Sequence, residues 1–181
     1  MDLPSLDTPR LVLRPYSLAD VPDLVRLAGS REVAATTLRI PHPYCEQDAV
    51  DFIVSTNSDP SLERRARFAV TLRDSGDYCG GAGLRIERWQ QQAELGFWLG
   101  VPYWGKGYAT ECAQAVVKFG FDTLKLHRIF ASHFAHNLAS GRVLRKIGMQ
   151  YEGCLRGQVF KWDKFYDSEL FAMLSTDPRP E

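Results

Sequence analysis

The stretch from Leu95 to Gly120, LGFWLGVPYWGKGYATECAQAVVKFG, constrains the fold more than any other part of the chain. It opens with an aromatic and apolar run, Leu95-Gly96-Phe97-Trp98-Leu99, of the length and character of a buried strand. Gly100, Pro102, Gly105 and Gly107 break that run. From Ala109 the apolar residues fall at Ala109, Cys112, Ala113, Val116, Val117 and Gly120, the spacing of a helix with one buried stripe. A strand that feeds a glycine loop opening a helix gathers unpaired backbone N–H groups at one spot. The helix dipole adds positive potential there, and the two together attract phosphate. The bland alternative is a glycine-rich turn with no ligand.

Two familiar phosphate loops fail here. The pattern G-x-x-x-x-G-K-[ST] runs from Gly100 to Lys106, but Gly107 stands where a magnesium-holding hydroxyl is needed. The dinucleotide pattern G-x-G-x-x-G starts at Gly105 and Gly107 and then meets Thr110. Charge narrows the field further. The chain has 22 Lys plus Arg and 22 Asp plus Glu in 181 residues, so no global field draws nucleic acid or an anionic membrane. Cys45, Cys79, Cys112 and Cys154 are far apart with no C-x-x-C pair, so no zinc or other metal is expected and free thiols in a reducing compartment fit. The N-terminus shows no signal peptide, and no apolar run reaches membrane length. A cytoplasmic protein follows as the expectation.

Taken in order, Leu11-Val12-Leu13 reads as the first strand, and Ser17 with Asp20 as a capping box. Leu18, Val21, Leu24, Val25 and Ala28 form a helical stripe ended by Gly29. Residues 31–44 read as irregular. A helix over Glu46 to Asn57 turns Ala49, Val50, Ile53 and Val54 inward. Strands follow at Phe68 to Leu72, at Cys79 to Ile86 and from near Ala93. After the central helix, Arg128 to His133 is a strand, and Asn137 to Ile147 a helix stopped by Gly148. Tyr151 to Leu174 holds two or three final strands. This order combines antiparallel neighbours with one parallel crossover, a mixed sheet with helices on both faces.

Several segments together resemble the GNAT superfamily of N-acetyltransferases, most closely its RimJ/RimL-type members. They are TPRLVLRP at Thr8 to Pro15, Ala93 to Leu99, the loop WGKGYA at Trp104 to Ala109, Asn137 to Ser140, and Lys146 to Met149. The loop departs from the usual Q/R-x-x-G-x-G/A pattern by Trp104 in place of Gln or Arg. The resemblance covers nearly the whole chain. It implies an α/β (mixed α+β) GNAT fold, with a mostly antiparallel sheet of about seven strands, in a single domain over residues 1–181. It also implies acetyl transfer from acetyl-coenzyme A directly to a primary amine, with no acyl-enzyme.

In such a family the backbone of Trp104, Gly105, Lys106, Gly107, Tyr108, Ala109 and Thr110 would hold the pyrophosphate of coenzyme A. The backbone of Phe97, Trp98 and Leu99 would pair with the pantetheine arm. Glu94 matches the strand glutamate proposed as general base. Alternation puts Glu94, Gly96 and Trp98 on one face, where desolvation beside aromatics would raise a carboxyl pKa. The alternative is an edge residue facing solvent. Ser140 shares a helical stripe with Val143, Leu144 and Ile147. The resemblance makes it the hydrogen-bond donor to the departing thiolate; a back-bond to a carbonyl one turn earlier is the alternative. Asn137 caps that helix and matches a residue touching the pantetheine arm. Lys106 assists a phosphate or is simply solvated. Arg142, Arg145 and Lys146 point away from the Ser140 stripe, and His133 is a reserve base.

The acceptor implied is the N-terminal α-amine of a protein or peptide, or another primary amine. The enzyme is expected to be a monomer or homodimer. A small-molecule acetyltransferase of the same fold, a non-catalytic acyl-coenzyme A sensor and a P-loop phosphotransferase stay open at this point.

Overall fold

A computed structural model describes residues 3–58 and 62–180. Its strands are β1 (Leu6–Asp7), β2 (Leu11–Arg14), β3 (Arg65–Leu72), β4 (Tyr78–Glu87), β5 (Gln92–Leu99), β6 (Arg128–Phe134), β7 (Gln150–Lys161) and β8 (Lys164–Leu174). Its α-helices are α1 (Val21–Ala28), α2 (Arg31–Thr36), α3 (Glu46–Asn57), α4 (Tyr108–Asp122) and α5 (Leu138–Lys146). The strands form one sheet in the order β1-β2-β3-β4-β5-β6-β8-β7. Every pairing is antiparallel except β5 with β6, the crossover that α4 makes. This is the GNAT fold, with eight strands where about seven were expected. The additional one is β1, whose pair of residues is too short to carry an alternation.

The sheet is covered on both faces. On one, α4 lays Cys112, Ala113, Val116 and Val117 against Phe68, Leu84, Leu95 and Ile129, and α5 adds Leu144. On the other, α1 and α3 contribute Leu24, Leu27, Ala49 and Ile53 around Tyr16 and Tyr78, with Trp98 packed against them. The alternation read along β5 therefore holds: Leu95 and Leu99 face α4, whereas Trp98 faces α1 and α3. The Ser17–Asp20 capping box also holds, since Asp20 Oδ2 accepts the Ser17 N–H at 2.8 Å.

Three local expectations are corrected. Residues 31–44 are not wholly irregular, because Arg31–Thr36 is helical, with Ser30 Oγ accepting from the Val33 N–H. One and a half turns are too short to show a period. Val54 is 55% exposed and Leu18 60% exposed, although the helical pattern turns both inward. The buried stripe of α3 runs through Ala49, Ile53 and Thr56 and leaves Val54 beside it. Strand β3 starts at Arg65 rather than Phe68. Its opening alternation, Arg65-Ala66-Arg67, sends Ala66 into the core and leaves the arginines on the other face.

Among the described residues no helix is long and apolar enough to cross a membrane.

Candidate active site

The loop after β5 is shaped by Gly105 at φ +74° and Gly107 at φ +83°, in the left-handed region that favours glycine. Gly107 is the N-cap of α4 and supplies no side-chain cap. Among the described residues none accepts a hydrogen bond from the backbone N–H groups of Gly105 to Thr110. Those donors are free for an anion. The Trp104 indole donates to the Leu99 carbonyl at 2.7 Å, so it fixes the loop to the end of β5. That accounts for the departure at this position: an indole holds the turn in place. It also means the Leu99 carbonyl is already occupied.

The loop is braced from the N-terminus. Arg10 Nη1 donates to the Lys106 carbonyl at 2.9 Å, and its guanidinium lies over the Tyr108 ring at 4.7 Å. Glu111, in the first turn of α4, accepts from Thr8 Oγ1 at 2.7 Å, from the Arg10 N–H at 2.8 Å and from Arg10 Nε at 2.7 Å. Burial pushes the Glu111 carboxyl up, but the hydrogen bonds from Thr8 and Arg10 outweigh it and hold it below the usual carboxylate range. This brace was missed in the sequence. Its signal was the Thr8-Pro9-Arg10 segment, which carries polar groups immediately before a strand.

Strand β5 pairs with β4 over its whole length but with β6 only at Gln92, Ala93 and Glu94. Beyond Glu94 the two parallel strands part. The β6-facing edge of Leu95 to Leu99 is left without a strand partner, on the side where Ser140 stands at the start of α5. The gap opens into a cavity of about 440 Å³. Glu94, Phe97, Trp98 and Ser140 all line it, with Ser132 and His133 of β6. The loop Trp104–Thr110 does not line it, nor do Leu99 and Asn137. The loop stands past the end of β5, so one elongated ligand would have to run along the parted strands to reach both.

Glu94 stands opposite Phe130 of β6, an aromatic neighbour as the sequence suggests, but burial beside aromatics is not its main surrounding. Its carboxylate sits between two guanidiniums, Arg85 Nη2 at 2.7 Å and Arg39 Nη2 at 3.1 Å. Arg85 is its cross-strand partner on β4. Arg39 arrives from the segment after α2, which Lys161 of β7 ties down by donating to the carbonyls of Ala34 at 2.6 Å and of Thr37. Alternation could not show either arrangement, because both partners come from other elements.

Ser140 is held in both senses by Asn137. Asn137 Oδ1 accepts the Ser140 N–H at 3.2 Å, the helix cap expected, and Asn137 Nδ2 donates to Ser140 Oγ at 2.9 Å. With its oxygen receiving that bond, the hydroxyl proton is free to point at a ligand. His133 is 7% exposed and lies under α5. Its Nδ1 is 2.8 Å from the Phe134 carbonyl, and its Nε2 lies 3.3 Å from Glu169 Oε2. Arg142, Arg145 and Lys146 are exposed, as the angular count gives. Cys79 and Cys112 are buried, and burial pushes both thiols up, Cys79 to about 12. They pack rather than react. Among the described residues no group of three His, Cys, Asp or Glu is placed to hold a metal ion.

Known proteins share this fold. The family model described as an acetyltransferase (GNAT) domain matches residues 10–150. An uncharacterised N-acetyltransferase, p20 of Bacillus licheniformis, is 30% identical over 96% of this chain and 97% of its own. The crystal structure of a GNAT-family acetyltransferase from Bacillus anthracis superposes with a TM-score of 0.85 at 26% identity, covering 96% of this chain and 100% of that one. RimL, described as a ribosomal L7/L12 alpha-N-protein acetyltransferase in complex with coenzyme A, shares the fold at a TM-score of 0.85 and 16% identity, over 94% and 98% of the two chains. With the family model spanning most of the sequence, the chain belongs to the GNAT family and is an N-acetyltransferase.

Proposed function

We propose that this enzyme transfers acetyl from acetyl-coenzyme A directly to the N-terminal α-amine of a protein or peptide, in the cytoplasm and within one domain over residues 1–181. The observation that carries this reading is the parting of β5 and β6 beyond Glu94, with a cavity at the mouth that holds a carboxylate and a free hydroxyl. The free N–H groups of Gly105 to Thr110 take the pyrophosphate, and the edge of β5 left without a strand partner takes the pantetheine arm through Phe97 and Trp98. The acceptor nitrogen attacks the thioester carbonyl carbon. Glu94 takes the proton from that nitrogen, directly or through water. The tetrahedral oxyanion then collapses, the C–S bond breaks, and the Ser140 hydroxyl supports the departing thiolate. An α-amine, with a pKa near 8, costs less to deprotonate near neutral pH than a lysine amine near 10.4. RimL, a ribosomal L7/L12 alpha-N-protein acetyltransferase, has the same fold.

The test is release of coenzyme A with short peptides of free or blocked N-terminus, set beside spermidine and an aminoglycoside. Free N-termini are expected to be the better acceptors and blocked ones inert. A much higher kcat/KM on spermidine or the aminoglycoside than on any free peptide would reassign the acceptor.

A further inference from the structure

The acceptor half of the cavity is richer in positive charge than the balanced sequence suggests. Three guanidiniums line it, those of Arg39, Arg67 and Arg85. Two of them are spent on Glu94. Arg67 is half-buried and has no carboxylate partner among the described residues. Its Nη1 donates to Thr56 Oγ1 at 3.2 Å, and its guanidinium lies 5.2 Å over the Phe52 ring. Asp48 also lines the cavity, its carboxylate accepting the Cys45 N–H at 2.8 Å and the Cys45 thiol at 3.0 Å; these neutral donors leave its charge in place, so three guanidiniums face two carboxylates and one positive charge is left over. A cation drawn out of water without a counter-ion is costly. Burial lowers the Arg67 pKa, as do Arg65 and Arg39 nearby.

The sheet register shows what the surplus charge faces. Arg67, Gly83 and Gly96 are neighbours across β3, β4 and β5, and Arg65, Arg85 and Glu94 form the next row on the same face. A Cβ at Gly96 would meet nothing within 4 Å, so the cavity is open over that position, whereas a Cβ at Gly83 would meet the Ala66 carbonyl oxygen at 2.3 Å, so β3 and β4 pack closely beside Arg67. By ideal strand spacing, the Cα atoms of Arg67 and Glu94 stand about 12 Å apart on this face. Both side chains are long and line the same cavity, so a small group fills the distance between them.

We infer that the acceptor carries a carboxylate a few bonds from its amine, and that Arg67 binds this carboxylate while the amine lies at Glu94. The inference rests on the acetyl-transfer reading of the same cavity. The chemistry is shared by a free acidic or simple α-amino acid and by a peptide with Asp or Glu in its first residues. The same surplus charge disfavours an ammonium beside it, which favours the neutral, nucleophilic amine, and it excludes polycations.

The experiment compares kcat/KM on free-N-terminus peptides that differ only at the second residue, Asp, Asn or Lys, and on free aspartate and alanine. It uses the wild type, Arg67→Met and Arg39→Gln. The Asp peptide or a free amino acid is expected to exceed the Asn and Lys peptides by roughly 10- to 100-fold, mostly through KM, as for a lost bond to a charged group. That ratio collapses in Arg67→Met and shrinks as salt is raised. Which acid-bearing amine turns over best separates a free amino acid from a protein N-terminus, and either supports the inference. Equal turnover of acid and amide acceptors would overturn it and leave acetyl transfer standing. No acetylation of any free amine would overturn the acetyl-transfer reading itself, and this inference with it. Should Arg67→Met fail to fold, the wild-type ratio and its salt dependence decide alone.

Discussion

The glycine loop and the acceptor trough lie at opposite ends of β5 and are made of different material. The loop presents main-chain N–H groups, set by two left-handed glycines and braced from outside by Arg10, Glu111 and Trp104. The trough presents side chains, brought by β3, β4, β5 and the segment after α2 to a cavity that is open over Gly96. Main-chain recognition needs a backbone conformation and tolerates most side chains. Side-chain recognition needs particular residues at particular places. Substitutions at the trough end should therefore change which amine reacts and how fast, and substitutions at the loop end should change how tightly coenzyme A is held rather than which amine reacts.

The largest effect expected is on chemistry. Glu94→Gln and Ser140→Ala should each lower kcat by on the order of 10²-fold, typical for a lost general acid or base, with less change in the KM for acetyl-coenzyme A. Steady-state kinetics across pH will show it; full kcat in both variants at every pH would remove both assignments. Next comes Gly107→Val, which forces a β-branched residue to φ +83° and brings its Cβ within 3.2 Å of Arg10 Nη2. Strain of about 1–3 kcal/mol at such a position, added to lost approach of the backbone, predicts at least a tenfold weaker affinity for coenzyme A by calorimetry, with the fold retained.

A smaller effect is expected at the brace. Glu111→Gln removes the charge from a carboxylate that accepts bonds from Thr8 and Arg10, and should cost about 1–3 kcal/mol of stability near neutral pH. The sign with pH follows from its lowered pKa. A depressed folded-state pKa contributes stability above the unfolded value, and that contribution is lost as pH falls through the folded one. The melting temperatures of wild type and Glu111→Gln should therefore converge as pH drops below the ordinary carboxylate range. A gap that widened in acid would contradict the brace. The smallest effect is at Lys106, whose ammonium rests 5.8 Å from the Tyr103 ring centroid on the surface. Lys106→Met should change the KM for acetyl-coenzyme A by no more than about threefold, since the loop acts through its backbone.

Most of the fold is legible in the sequence. Helix α3 falls on the residues its pattern marked, the capping box at Ser17 and Asp20 forms, and α4 buries the stripe from Cys112 to Gly120. These features depend on neighbours within one turn or one strand, which a sequence carries directly. The short helix α2 and the two-residue β1 escaped because neither is long enough to complete a period. At the site, Asn137 was readable as a cap from its position. Its second bond, to the Ser140 hydroxyl, was not.

The sequence by itself determined the strand–glycine–helix unit, the alternation that sends Leu95 and Trp98 to opposite faces, and the stripe that turns Ser140 with Leu144. Each of these follows from the fixed periods of strand and helix. Only the tertiary structure decided which charges Glu94 meets, Arg85 from the next strand and Arg39 from a segment pinned by Lys161. Only it decided that Arg67 reaches the same cavity without a counter-ion among the described residues. The physical reason is that charge neutrality along a chain says nothing about neutrality in space. Register and packing bring together groups tens of residues apart, and the electrostatics of a cavity belong to that assembly.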